Sequence, residues 1–175
     1  MKKFYLVFLS AMLLLLSGCA TVTSDIKVRA ETAPGVTLYK NYKTYDWLGS
    51  ISLLNDPNNT WQPPNVDIIG DIKFLVDREL RRNGIESTNA TPDLAVTFLV
   101  GVDMENQILK LDPDTKIHLN KKIPQAALVV ALIEVSSGHI VWLGVANAEI
   151  REGVTAKVMR QRLDYAVREM FKLMP

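Results

Sequence analysis

Apolar residues recur along this chain at two spacings, and the switch between them marks out its elements. Within residues 66–83, Ile69, Ile72, Val76 and Leu80 fall on one helical stripe, Ile68 and Leu75 widen it, and Asn83 with Gly84 supplies a stop. Phe74 breaks the pattern. At 100° per residue it projects among Asp67, Arg78 and Arg81 on the polar side. A second amphipathic helix is expected over residues 155–173. Its apolar side carries Ala156, Met159, Leu163, Val167 and Met170, widened by Ala166 and Leu173, while Lys157, Gln161, Arg168 and Lys172 face water.

Elsewhere the period drops to two. "YKNYKTYDWL", residues 39–48, reads as a strand with Tyr45 and Trp47 on one face and Thr44, Asp46 and Leu48 on the other. "PDLAVTFLVGV", residues 92–102, is apolar on both faces, as in a central strand covered on both sides. Residues 126–150 form a hairpin turning at Ser136, Ser137 and Gly138. Residues 105–111 fit either a strand or a short helix, and "LDPDTK" after them is a turn. The Asn- and Pro-dense stretch 55–65 is a loop carrying Trp61. These elements predict an α/β (α+β) two-layer sandwich: a mixed sheet of four or five strands with the two amphipathic helices packed on one face.

The amino terminus follows neither period. After Lys2 and Lys3, Phe4 to Leu16 is apolar or aromatic except for Ser10. A basic start and a short apolar core mark a signal peptide, and thirteen residues fall short of the roughly 20 that a spanning helix needs. Leu16, Ser17, Gly18 and Cys19 resemble the bacterial lipobox. That resemblance implies removal of residues 1–18 and acylation of Cys19 with fatty chains such as palmitate. The alternative uses Gly18 and Ala20 as the small pair of an ordinary cleavage site and leaves a soluble protein. Cys19 is the sole cysteine, so its sulfur cannot close an intramolecular crosslink. Each buried methylene is worth about 0.8 kcal/mol, so several acyl chains would hold the protein on a bilayer. Ala20 stands where inner-membrane retention signals commonly have Asp, which by resemblance implies the outer membrane, facing the periplasm.

Three segments follow: a signal peptide over 1–18, lipidated Cys19 with a tether over 19–36 leading into a first strand near Ile26 to Arg29, and one domain over 37–175. Loss of Lys2 and Lys3 leaves 18 Lys and Arg against 19 Asp and Glu. A chain with that balance and no basic cluster is not expected to bind nucleic acid.

Candidate chemistry is sparse. His118 and His139 are far apart in sequence with no cysteine to join them, so no zinc site is expected. Asp112 and Asp114 suggest calcium, but Lys116 and Ile123 occupy positions where an EF-hand loop needs oxygen ligands. No "GxSxG", phosphate-binding glycine loop or zinc motif occurs, and neither histidine stands in a motif beside a candidate serine. The expectation is therefore a noncatalytic envelope module, without metal or cofactor beyond the lipid on Cys19. It would bind or scaffold another envelope component through Trp61, Phe74 or a sheet edge. A carrier of an apolar or lipid-like ligand is the alternative, and an enzyme using carboxylates brought together by the fold is a third. Oligomeric state is not legible.

"YKTYDW", a helix ending in "LRRNGI", then "TPDLAVTFLV", an acidic residue ahead of "SSGHIVWLG" and a closing helix occur in that order. Over residues 38–174 this resembles the bacterial lipoproteins grouped as domain of unknown function 4136. The resemblance implies address and fold but no reaction. Two positions depart from that pattern: Glu134 stands for an aspartate, and Leu143 for a basic residue after the tryptophan.

Overall fold

A computed structural model describes residues 20–48, 54–55, 66–102, 108–110, 116–118, 125–151 and 153–175. A helical turn, α1 (Ala20–Thr23), leads into β1 (Lys27–Thr32). The short α2 (Leu38–Asn41) precedes β2 (Thr44–Trp47) and β3 (Leu54–Asn55). Helix α3 (Ile68–Arg82) is followed by β4 (Glu86–Ser87) and β5 (Leu94–Val102). A small hairpin, β6 (Ile108–Lys110) and β7 (Lys116–His118), stands apart from the main sheet. β8 (Gln125–Glu134), β9 (Ile140–Glu149) and α4 (Ala156–Lys172) complete the chain.

The main sheet runs β1-β9-β8-β5-β2-β4, with β3 pairing β5 beside β2. β2, β3 and β4 are parallel to their partners, whereas β1, β9, β8 and β5 pair antiparallel, so the sheet is mixed as expected. Among the described residues it holds seven strands rather than four or five, because the two-residue β3 and β4 carry no readable period. Residues 20–36, expected as a tether, are built into the fold: all six residues of β1 pair with β9, from Lys27 opposite Asn147 to Thr32 opposite Trp142.

Both long helices lie on one face. Ile72, Val76 and Leu80 of α3 share a core with Val167 and Met170 of α4, above Leu94, Val96, Val130, Leu132 and Trp142 of the sheet. α3 follows β3 and α4 follows β9, and those strands run toward the same end of the sheet, which is called proximal below. The helices therefore run side by side in the same direction, joined by Arg160 to Asp71 at 2.9 Å and Arg78 to Asp164 at 2.6 Å.

Two apolar positions depart from expectation. The buried side of α3 is Ile68, Ile72, Leu75, Val76, Glu79 and Leu80. Ile69, in the first turn of α3, is 45% exposed although its angular position falls between those of buried Val76 and Leu80. Leu173 is 52% exposed just beyond the end of α4, and Phe171 and Met174 take the buried places instead.

The opposite face of the sheet is not open surface either. Ala127, Val129, Ala131, Leu143 and Val145 form a second buried cluster, with Leu99 and Ile140 against it. Leu143, at the position where a basic residue was expected, thus belongs to packing.

One close approach holds the helix face together. Trp142 is fully buried and its ring lies 5.0 Å from that of Phe171. It passes directly over Gly144, where an added Cβ would come within 2.5 Å of the indole and 3.0 Å of Met170 Sδ. The Gly144→Ala variant should therefore lose about 1–3 kcal/mol of stability in urea unfolding, through overpacking. An unchanged midpoint would refute this account of the glycine.

Candidate functional site

Where the amino-terminal segment enters the fold, the chain turns from α1 into β1 and buries one carboxylate. Asp25 accepts hydrogen bonds from Arg162 Nη1 at 2.8 Å and Nη2 at 2.6 Å, from Arg151 Nη2 at 2.7 Å and from the Glu149 backbone N–H at 3.0 Å. Arg162 also donates to the carbonyl oxygens of Val22 and Glu149. The Asp25 and Arg162 side chains are only 7% and 8% exposed. The Arg162 hydrogen bonds hold the Asp25 carboxyl down at about 2, overcoming the opposing effect of burial. One buried side chain on α4 thereby grips the segment leading from Cys19, the β9 terminus and the start of β1.

Beside this latch lies a cavity of about 80 Å³, lined by Ile26, Leu128, Ala146, Met159, Leu163 and Ala166, with Arg151 and Arg162 contributing to its wall. Ligand pockets usually measure roughly 300–1,000 Å³. This space suits a few water molecules or one small apolar group and is too small for a lipid.

At the opposite, distal end, the hairpin turn carries a second polar cluster. Tyr42 donates to Glu134 Oε1 at 2.9 Å and Ser137 donates to Oε2 at 2.6 Å. Burial, then the Glu134 contact, pushes the Tyr42 hydroxyl up to about 12. The hydrogen bond from Ser137, followed by that from Tyr42, lowers the Glu134 carboxyl. A phenol made less acidic and a carboxylate made less basic are both moved away from proton transfer near neutral pH. Ser137 spends its proton on Glu134, and the His139 backbone N–H donates to Ser137 Oγ at 3.3 Å. These contacts close the turn. They do not arrange the His139 ring as a base for Ser137. Nearby, Asp93 Oδ2 accepts from the N–H groups of Lys43 and Thr44 and from the Thr44 hydroxyl at 2.8, 2.9 and 3.0 Å, pinning the start of β2.

The aromatic strand is a structural clamp. Tyr45 OH and Trp47 Nε1 both donate to Asp77 Oδ1 of α3, at 2.7 and 3.0 Å. Burial, reinforced by Asp77, raises the Tyr45 hydroxyl above its ordinary value. Trp47 packs edge-on against Phe98 at 5.9 Å, and the Lys73 ammonium sits 5.3 Å from the Trp47 ring.

Phe74 is 62% exposed on the outer side of α3, as its spacing predicts. Trp61 and the lipobox residues Leu16, Ser17, Gly18 and Cys19 lie outside the described residues. His118 falls in β7 and His139 is exposed beside the turn. Among the described residues no cluster of His, Cys, Asp and Glu suits a metal ion, and no helix is long and apolar enough to cross a membrane. Sequence reasoning missed the Asp25 latch. The available signal was Arg162, a charge on the apolar stripe three residues after Met159 and next to Leu163.

The latch has a pH signature. The folded pKa of Asp25, about 2, lies below its ordinary 3.8, so its stabilising effect is complete above about pH 4 and fades as pH falls through 2. Urea titrations should show a loss of about 2 kcal/mol over that window, with the Asp25 share absent in Asp25→Asn. That variant should itself lose about 3 kcal/mol at neutral pH, because two guanidinium groups lose their anion. An acid-limb slope identical to wild type would exclude the latch as its source.

The family model described as Domain of unknown function (DUF4136) matches residues 31–175. A DUF4136 family protein from Bacteroides thetaiotaomicron superposes with a TM-score of 0.61 at 10% identity, over 85% of this chain and 95% of that one. A PelC dodecamer from Paraburkholderia phytofirmans, in a single-substitution variant, gives 0.50 at 14% identity, over 85% and 97%. A minor lipoprotein from Acinetobacter baumannii gives 0.33 at 13% identity, over 75% and 91%. No curated protein sequence matches the chain. At these identities the structural likeness bears on the fold alone.

Proposed function

The chain belongs to the DUF4136 family, a domain of unknown function, and from that premise we propose that it is a membrane-anchored lipoprotein of the bacterial envelope, acting as a noncatalytic binding or scaffold module. The observation that carries this reading is the latch. The only cysteine stands one residue before Ala20, and α1, which begins there, is held to α4 through Val22, Asp25 and Arg162. A lipid on Cys19 would thus be coupled directly to the fold.

The described polar clusters favour binding over catalysis, since their carboxylates are committed to turns, strand starts and helix seams. The small cavity weighs against a carrier of lipid-like ligands. Exposed Phe74, together with Trp61, remains the proposed contact for an envelope partner. The PelC neighbour is a dodecamer, so a second copy of this chain is the first such partner to test, by light scattering on the purified protein. Ala20 after the lipid-bearing cysteine supports placement in the outer membrane, facing the periplasm.

The decisive experiment is mass spectrometry of the mature amino terminus together with membrane fractionation. The wild type should carry acyl chains on Cys19 and remain with membranes, and Cys19→Ser should move to the aqueous fraction. A free thiol on the mature protein, or wild type that washes off membranes, would overturn the proposal. Crosslinking in intact cells with Phe74→Ala and Trp61→Ala should then show weakened capture of any partner seen with wild type. Unchanged capture would exclude those two contacts.

A further inference from the structure

The proximal end of the sheet gathers more than the ends of β3, β5 and β9. α3 and α4 begin there, and β1 starts there opposite the end of β9. The chain leaves the sheet there after Asn55 and after Val102, and returns at Gln125. The distal end, by contrast, holds the tight hairpin turn and the Asp93 staple.

The surface at the proximal end is mixed. Ile69 is an exposed apolar residue, and Lys27, Lys157 and Arg160 are exposed cations. Asp67 caps α3, Glu149 is exposed, and Arg160 is paired with Asp71. Apolar side chains interleaved with cations are what an interfacial contact with phospholipid headgroups uses.

We propose that this proximal end is a membrane-seating surface: the latch leaves no slack between an acylated Cys19 and the domain, so the fold rests end-on against the phospholipid headgroups. The occupant is the bilayer to which the protein is anchored. The inference rests on the lipoprotein reading above and adds an orientation to it. A long flexible tether would let the domain tumble above the membrane. A chain gripped by Arg162 at Val22 and Asp25 has only the residues before the grip to move. The distal turn, with exposed Val135, then points into the periplasm, and Phe74 on the flank of α3 stays clear of lipid for a partner.

The test uses full-length lipidated protein in phosphatidylethanolamine–phosphatidylglycerol vesicles. Because lipid occupies the sulfur of the only native cysteine, one introduced cysteine is the single free thiol for a fluorophore. Exposed positions are chosen at both ends: Ile69→Cys and Lys157→Cys at the proximal end, Val135→Cys and Leu173→Cys toward the distal end. Quenching by headgroup-labelled nitroxide lipid should be at least about threefold stronger at the proximal pair, given the shallow depth of interfacial contacts. Inserting about ten Gly and Ser residues after Ala20, which frees roughly 17 Å of reach, should erase the contrast while flotation with vesicles persists. Protein that floats but is quenched equally at both ends would overturn the seating surface and leave the lipoprotein reading standing. Protein that does not float would overturn both.

Discussion

Two helical stripes must leave water together in this fold, and only a sheet wide enough to take both can let them. α3 and α4 lie side by side, and the strands β5, β8 and β9 supply a continuous apolar floor beneath them. At about 25 cal/mol per Å² of apolar surface removed from water, such a shared floor is the main source of stability for a domain of this size. Its centre is tight enough that a residue without a side chain is needed at Gly144, where the Trp142 indole crosses the backbone. The strands that bear this floor are apolar on their second face as well, and Val129, Leu143 and Val145 there are also buried. The middle of the sheet is apolar and buried on both faces, which confines polar function to its ends and edges.

Charges occupy those margins in a consistent way. Along the helix seam, Glu79 is buried between Arg78 and Arg82, and Asp164 joins Arg78 to Arg168. Burying a carboxylate is tolerable only with partners close at hand, and each of these acids has them. The aromatic strand β2 uses the same logic with neutral donors. Tyr45 and Trp47 bury their rings and hand one O–H and one N–H to Asp77. Tyr42 does the same toward Glu134, where glutamate replaces the expected aspartate and still reaches both Tyr42 and Ser137. The departure from the family pattern is thus absorbed by a hydrogen-bonded turn.

Elements with a strong period were legible before any coordinates. The two helices, the central strand at 94–102 and the hairpin at 125–149 lie where spacing puts them, within a few residues, whereas the strand read over 39–48 is confined to 44–47 behind the helical turn Leu38–Asn41. Two-residue β3 and β4 show no period and escaped notice. The stripes put the right side of each helix on the core, but spacing cannot tell where along its length a helix is covered: Ile69 in the first turn of α3 stays exposed and Phe171 near the end of α4 is buried. The latch was illegible for a related reason. Asp25 lies 137 residues from Arg162, and nothing local to either residue announces the other. Only the oddity of a charge on an apolar stripe pointed to it.

That long-range ion pair changes what a tether can mean in this protein. A segment of polar, Thr-rich sequence reads as loose when its residues are weighed singly. Here Val22 surrenders its carbonyl to Arg162, Ile26 enters the core and every residue of β1 pairs with β9. These contacts offset the roughly 1–2 kcal/mol per residue of backbone entropy that ordering the segment costs. Because Asp25 stays ionised far below neutral pH, the grip persists from neutral pH down to about pH 4. Freeing this segment from the domain must therefore break a buried ion pair, which costs about 3–5 kcal/mol.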